Sequence, residues 1–204
     1  MPSDKPSKGQ RTQEKILQTT LKLVGQNGFA DTSMQMIATA CELSQGAVMQ
    51  HFPSKLRLFE AVRRFVSQSN HQYVDSQIEA TDDSYQALRK HLLMNIEWAL
   101  KHRAEANIII LTYENAIHEG EEREIAIGAV RLGTERIYRY LLASQREKIV
   151  SLEKDPEVLA QVIHEYLVGI ILRTLCTSRA VKRPPALDRR VDLFLEGLLN
   201  PSFS

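Results

Sequence analysis

Residues 32–59 read TSMQMIATACELSQGAVMQHFPSKLRLF, and the fold turns on how this stretch is parsed. Thr32-Ser33-Met34-Gln35 has the S/T-x-x-Q spacing of a capping box, with Ser33 an equally good N-cap one residue later. A short helix follows over about 34–40, with Met36, Ile37 and Ala40 directed inward. Glu42-Leu43-Ser44 is a polar-apolar-polar turn in which Leu43 packs between helices. Ser44 caps a second short helix over 45–51, with Ala47, Val48 and Phe52 as its apolar positions. Pro53-Ser54 breaks that helix and starts another, spaced by Leu56, Phe59, Val62 and Val66. Helices this short are marginal alone in water, so the longer helices on either side must hold them. The second short helix presents Gln45, Met49 and Gln50 on one side, with Gly46 and Ala47 small enough for close approach. Such a helix fits the major groove of DNA, where glutamine can donate and accept in two parallel bonds to adenine. Lys55, at the start of the next helix, suits a phosphate.

Upstream, Leu17, Leu21 and Val24 recur at helical spacing and predict a first helix over 12–27, with Glu14 in its first turn. Gly28 stands at C′ and Phe29 supplies a closing contact. Residues 1–11, polar with Pro, Gly and Lys, read as a disordered tail.

Downstream, the pattern is of longer amphipathic helices. Tyr85, Leu88, Leu92, Ile96 and Ala99 stripe 83–101; further helices are predicted over 103–118 and 121–148. Asp155-Pro156-Glu157 combines N-cap, Pro at N1 and an acid in the first turn. The helix it opens, 156–178, is apolar on more than one side, and Pro184-Pro185 separates it from a last helix over 186–199. No strand alternation, internal repeat or low-complexity segment is visible. The expected fold is all-α, with a helix-turn-helix domain over 11–66 and a helical domain over 67–204.

Composition narrows the function. The chain of 204 residues is 43% apolar and 25% charged, ordinary for a globular protein able to bury roughly 70% of its surface. No apolar run of about 18 residues is read in the chain, so no spanning helix is expected, and MPSDKPSKGQ lacks an apolar signal region, so a cytoplasmic location is expected. Two distant cysteines, Cys41 and Cys176, give neither a disulfide framework nor a CxxC metal spacing. Net charge is +1, but residues 1–64 carry nine basic and five acidic side chains against seventeen and twenty in the remainder. A basic head on an acidic body suits a polyanion at the head. There is no nucleophile motif, Gly-rich phosphate loop or HExxH, and His91 and His102 fall at no useful spacing with carboxylates. No catalytic residue, metal or cofactor is expected, and an enzyme is disfavoured.

The residues 32–38 and 43–59, following ILQTTLKLVGQNGFADTS, resemble the DNA-binding domain of the tetracycline-repressor (TetR) family. The resemblance covers about 11–66, and its most specific part is Ser44-Gln45-Gly46-Ala47, His51-Phe52 and Ser54-Lys55. It implies base contacts from Gln35, Gln45, Ala47 and Gln50, and phosphate contacts from Ser33, His51 and Lys55. Ser44, Gly46 and Met49 complete the reading surface. Two positions depart from the family pattern. Met49 stands where tyrosine is usual, and Glu42 stands where glycine is usual, placing a side chain in a turn that favours a left-handed backbone.

The resemblance further implies a dimer on double-stranded DNA, released by a small-molecule effector. The last two helices would form the pairing face, centred on Leu167, Ile171, Leu175, Val191, Leu195 and Leu198. Met94, Trp98, Tyr113, His118, His164 and Tyr166 are the candidate pocket residues.

Overall fold

The computed structural model describes residues 7–115, 117, 120–150, 154–177 and 183–200. Among them the elements are α1 (Lys8–Asp31), α2 (Met34–Ala40), α3 (Gln45–His51), α4 (Lys55–Asp75), α5 (Ser84–Lys101), α6 (Arg103–Asn115), α7 (Glu121–Arg146), α8 (Pro156–Thr177) and α9 (Leu187–Leu199), with no strand.

α1 starts earlier than its apolar spacing suggests. Ser7 and Gln10 form a capping box: the Gln10 amide donates to Ser7 Oγ at 3.2 Å, and the Ser7 amide donates to Gln10 Oε1 at 2.7 Å. Two orphan donors are thereby satisfied, and the helix extends into the segment expected to be disordered. Glu14 consequently lies beyond the first turn, where it accepts from Gln18. Gly28 breaks the α1 helix where expected, at φ 82° and ψ 167°. Thr32 does not cap α2. Its hydroxyl donates to the Gly28 carbonyl at 2.7 Å and seals the break, while Ser33 Oγ caps α2 by accepting from the Met36 amide at 3.1 Å.

The chain divides into two compact units. The first comprises Met1–Gln68 with Ala104–Ile125; the second comprises Ser69–Arg103 with Ala126–Ser204. The division near residue 68 lies close to the expected boundary, but 104–125 groups with the head. Small residues allow this: a Cβ on Gly25 would meet the Ala104 Cβ at 3.3 Å. Arg57 also forms an ion pair with Glu121.

In the first unit, Ile16, Val24, Ile37, Ala38, Cys41, Val48, Phe52, Leu58 and Phe59 are buried. Phe29 packs on Phe59 with ring centroids 4.5 Å apart. The inward face of α2 is thus Ile37 and Ala38. Met36 and Ala40, expected inside, are exposed, because seven residues complete only two turns and define no long stripe.

In the second unit the whole expected α5 stripe is buried, and α8 and α9 pack against α5. Asp83 Oδ1 caps α5 by accepting from the Gln86 amide at 2.7 Å. Arg89 reaches α9 through paired bonds to Asp192 at 2.5 and 3.1 Å. Contrary to the expectation that the chain holds no apolar stretch of that length, α8 is long and apolar enough to cross a membrane by length and composition alone. Its Leu159, Ala160, Ile163, Leu167 and Ile170 lie in the core of this unit.

Candidate nucleic-acid interface

α3 owes its position to its ends and its inner face. Ser44 Oγ accepts from the Ala47 amide at 3.1 Å, satisfying an orphan donor of the first turn. Val48 is fully buried and Phe52 nearly so, anchoring the helix. The turn before it closes through the Leu43 amide, which donates to the Ala38 carbonyl at 2.9 Å. Glu42 adopts φ 56°, the left-handed conformation that the sequence pattern implies at this point.

With Val48 inward, α3 turns Gln45, Gly46, Met49 and Gln50 to solvent; Ala47 and His51 are half-buried. Met49 is 46% exposed, a large apolar side chain on a surface with no core to join. Gln35 on α2 is also exposed and reaches Thr39 Oγ1 at 3.4 Å. Ser33, already the α2 cap, is exposed beside it. α3 itself carries no lysine or arginine, so a polyanion must be met largely by flanking groups.

Lys55 is one such group, and it is already engaged. Its ammonium donates to the Ala30 carbonyl at 3.0 Å and lies 4.4 Å from the centre of the Phe29 ring. Desolvation lowers its pKa, against the opposing charge of Asp31. An ammonium has three donors, so the bond to Ala30 leaves others for a phosphate while tying α4 to the end of α1.

Of the six candidate pocket residues, four are described in the second unit. Tyr113 belongs to the first unit, and His118 lies outside the described residues. In the second unit Met94 packs on the margin of the core. Tyr166 is occupied structurally: its ring stacks on Phe194 at 3.7 Å and its hydroxyl donates to the Arg190 carbonyl at 3.1 Å. Trp98 is 1% exposed and stacks on His102 at 5.4 Å. Its indole N–H has no acceptor among the described residues.

His164 is half-buried on α8. It lies against Gly133 of α7, where a Cβ would stand only 2.6 Å from its Nε2. Also in this unit, His91 on α5 is buried, with its ring 5.7 Å from that of Tyr140 on α7. Asn95 Nδ2 donates to the His91 carbonyl at 2.7 Å and lies beside the His91 ring. Arg136 pairs with Asp75 of α4 and bonds the Tyr140 hydroxyl at 3.4 Å. Burial pulls the His91 pKa down to about 3, with Arg136, His71 and His164 adding to the effect. His71 and His164 are also lowered, in each case mainly by desolvation. Among the described residues no three His, Cys, Asp or Glu side chains are grouped to hold a metal.

Of the expected pairing residues, Leu167, Val191 and Leu195 are buried in the core of their own unit, so the single chain does not offer them as an outward face. Ile171, Leu175 and Leu198 are part-buried. The apolar side chains that α8 and α9 do expose are Val158, Val162, Leu172 and Leu193. A helix apolar all round gives no sequence signal for which side closes the core.

The comparisons with known proteins agree with this geometry. Residues 16–62 match the family model described as bacterial regulatory proteins, tetR family. The chain is 28% identical over 199 residues to the HTH-type transcriptional regulator YerO of Bacillus subtilis (strain 168), covering 94% of this chain and 68% of that protein. It is 23% identical to the probable acrEF/envCD operon repressor of Escherichia coli (strain K12), covering 91% and 87%. The fold is shared with AibR, solved in complex with isovaleryl coenzyme A and operator DNA, at a TM-score of 0.68 and 22% identity, covering 94% and 100%. The exposed face of α3 lies within the matched segment: residues 16–62 form a DNA-binding segment like that of the tetR family of bacterial regulatory proteins, and the chain is a DNA-binding transcriptional regulator.

Proposed function

We propose that the chain is a repressor that binds a two-fold symmetric operator as a dimer and leaves it when a small molecule occupies the second unit. The observation that carries this reading is α3. It is capped by Ser44, anchored by Val48 and turned outward at Gln45, Gly46, Met49 and Gln50. These four, with Gln35, Ala47 and the phosphate donors Ser33, His51 and Lys55, form the proposed contact surface. A helix presented this way reads base edges through its N-terminal residues.

Pairing supplies what one short helix lacks, because two linked reading heads gain affinity through effective concentration. The exposed Val158, Val162, Leu172 and Leu193 make α8 and α9 the proposed pairing face. Release requires that the effector bind the DNA-incompetent arrangement better than the competent one. The probable operon repressor among the relatives and the AibR complex support these two parts of the reading.

Selection of bound sequences from a random pool of double-stranded DNA tests it. The expected result is a pseudo-palindrome with half-sites about one helical turn apart and binding that weakens steeply with salt. Recovery of no consensus, or of a single unpaired half-site by a monomeric protein, would refute it.

A further inference from the structure

The two short helices of the head are marked by what they lack. α2 and α3 are each seven residues long, and neither holds a lysine, arginine, aspartate or glutamate. His51 is half-buried and, two positions on from Met49, leaves α3 on the other side of the helix. The acid next to α3 in the chain, Glu42, is turned toward Lys15 of α1 at 3.6 Å. The cation next to it, Lys55, is held at the Ala30 carbonyl and the Phe29 ring.

Each base asks for a different side chain in the major groove. Guanine is held by a guanidinium or ammonium on O6 and N7, and the cytosine amino group by a carboxylate. Adenine is held by a carboxamide on N6 and N7, and the thymine 5-methyl group by an apolar side chain. α3 offers only the last two. Gln45 and Gln50 carry exposed carboxamides, and Met49 is an exposed apolar side chain.

The geometry puts these groups together. Val48 is fully buried and fixes the inward side of α3. Gly46 and Gln50, one turn apart, then stand on the side away from the core, and Gln45 and Met49, also one turn apart, share a flank beside them. A Cβ on Gly46 would come within 4 Å of Ser44 Oγ alone, at 3.9 Å, so the middle of this face is open backbone that a base edge can approach closely. Met49, 46% exposed, borders that opening. Its thioether has no donor with which to hold a phosphate, and its apolar surface gains by burial against a methyl group.

We propose that Met49 reads the 5-methyl group of a thymine, and that α3 recognises a half-site core of A·T pairs, with adenine taken by Gln45 and Gln50. The assignment rests on the DNA-binding surface proposed above and gives that surface its base preference.

The test uses the full chain and the operator selected from the random pool, whose half-sites should carry A·T pairs at their core. Each thymine is replaced in turn by deoxyuridine, which removes the 5-methyl group and leaves every hydrogen-bonding atom in place. At the thymine read by Met49 the wild type should bind about fourfold more weakly per half-site, the worth of one buried methyl group. Met49→Ala should bind the thymine and deoxyuridine operators alike at that position. The comparison is between two DNAs on one protein, so a poorly folded variant does not imitate the loss of preference. At the same position 5-methylcytosine should bind better than cytosine, because it restores the methyl group alone. Half-sites with a G·C core, no thymine sensitive to deoxyuridine, no gain from 5-methylcytosine, or a Met49→Ala variant as sensitive as the wild type would each overturn the assignment. Any of these in a chain that still selects a two-fold operator sinks the thymine reading alone. A chain that selects no DNA sinks the proposed contact surface itself.

Discussion

The two units place their chemistry in opposite ways. In the first, the side chains that matter stand outside: Gln45, Met49 and Gln50 are exposed, and the fold beneath them serves to hold seven residues of helix still. In the second the buried His91 stands inside, with Asn95 of its own helix and Tyr140 of α7 beside its ring. A surface reader needs caps and one anchor, all within a few residues of sequence. An interior arrangement needs a core that closes around it, drawn from positions as far apart as His91 and Tyr140. Substitutions in the two regions should therefore separate binding from stability.

The largest expected effect lies in the second unit. Leu92 follows His91 on α5 and is fully buried. Leu92→Ala should destabilise the protein by about 2–5 kcal/mol, the range for cavity-forming Leu→Ala changes. Urea unfolding checks this through a lower midpoint; an unchanged midpoint would mean that α5 does not carry the core.

Acid should act on the same region. His91 is held near pKa 3 when folded, against about 6.5 unfolded. The unfolded chain therefore binds an extra proton between those values. The stability contributed by neutral His91 is complete above pH 6.5 and is lost as pH falls below it, at about 1.4 kcal/mol per unit. The loss from pH 6.5 to 5 should be about 2 kcal/mol, with His71 and His164, shifted in the same direction, adding to it. Urea midpoints across this range give the slope. His91→Gln should flatten it, and an equally steep slope in that variant would show that other groups carry it.

The first unit should answer differently. Gln50→Ala leaves the core untouched and should remove about 1–3 kcal/mol of discrimination at one or two base positions. Lys55→Ala should instead weaken all sequences alike and lessen the salt slope by about one ion. Competition binding against single-base operator variants separates the two. A uniform loss from Gln50→Ala would reassign that residue to the DNA backbone.

The same contrast explains what the sequence disclosed. The α3 ends, its cap and its solvent-facing glutamines follow from contacts within about four residues, and all were legible. The Ser7–Gln10 capping box was equally local, but Pro6 and Gly9 made the segment read as a tail. The inward face of α2 was misread because Met36 and Ile37 are both apolar on a helix of two turns. Nothing local announces that Tyr140 stands beside both the His91 ring and Arg136, since each is unremarkable on its own helix. Of the two glycines inside α7, Gly133 marks a close approach, to the His164 ring, and Gly128 does not, so the signal was ambiguous. Leu167, Val191 and Leu195 looked suitable for pairing because a core position and an interface position demand the same apolar side chain.

The smallest expected effect lies in the first unit, at the turn that aims α3. Glu42 sits at φ 56°, where a Cβ is strained, and its carboxylate makes only a weak ion pair with Lys15 at 3.6 Å, being 88% exposed. Such exposed pairs contribute little, so the backbone term decides the sign. Glycine adopts this conformation without strain but has more freedom to lose on folding, so the gain is partly offset. Glu42→Gly should stabilise the first unit by several tenths to about 1 kcal/mol, read as a higher urea midpoint with an unchanged slope. It also removes a negative charge one position before Leu43, close to the surface proposed to meet DNA, so non-specific binding at low salt should strengthen slightly. A lower midpoint would mean that the Lys15 contact, or the rigidity of the unstrained alternative, outweighs the relief of strain. The turn would then be held by its side chains more than by its backbone, unlike the cap and anchor that hold the helix it introduces.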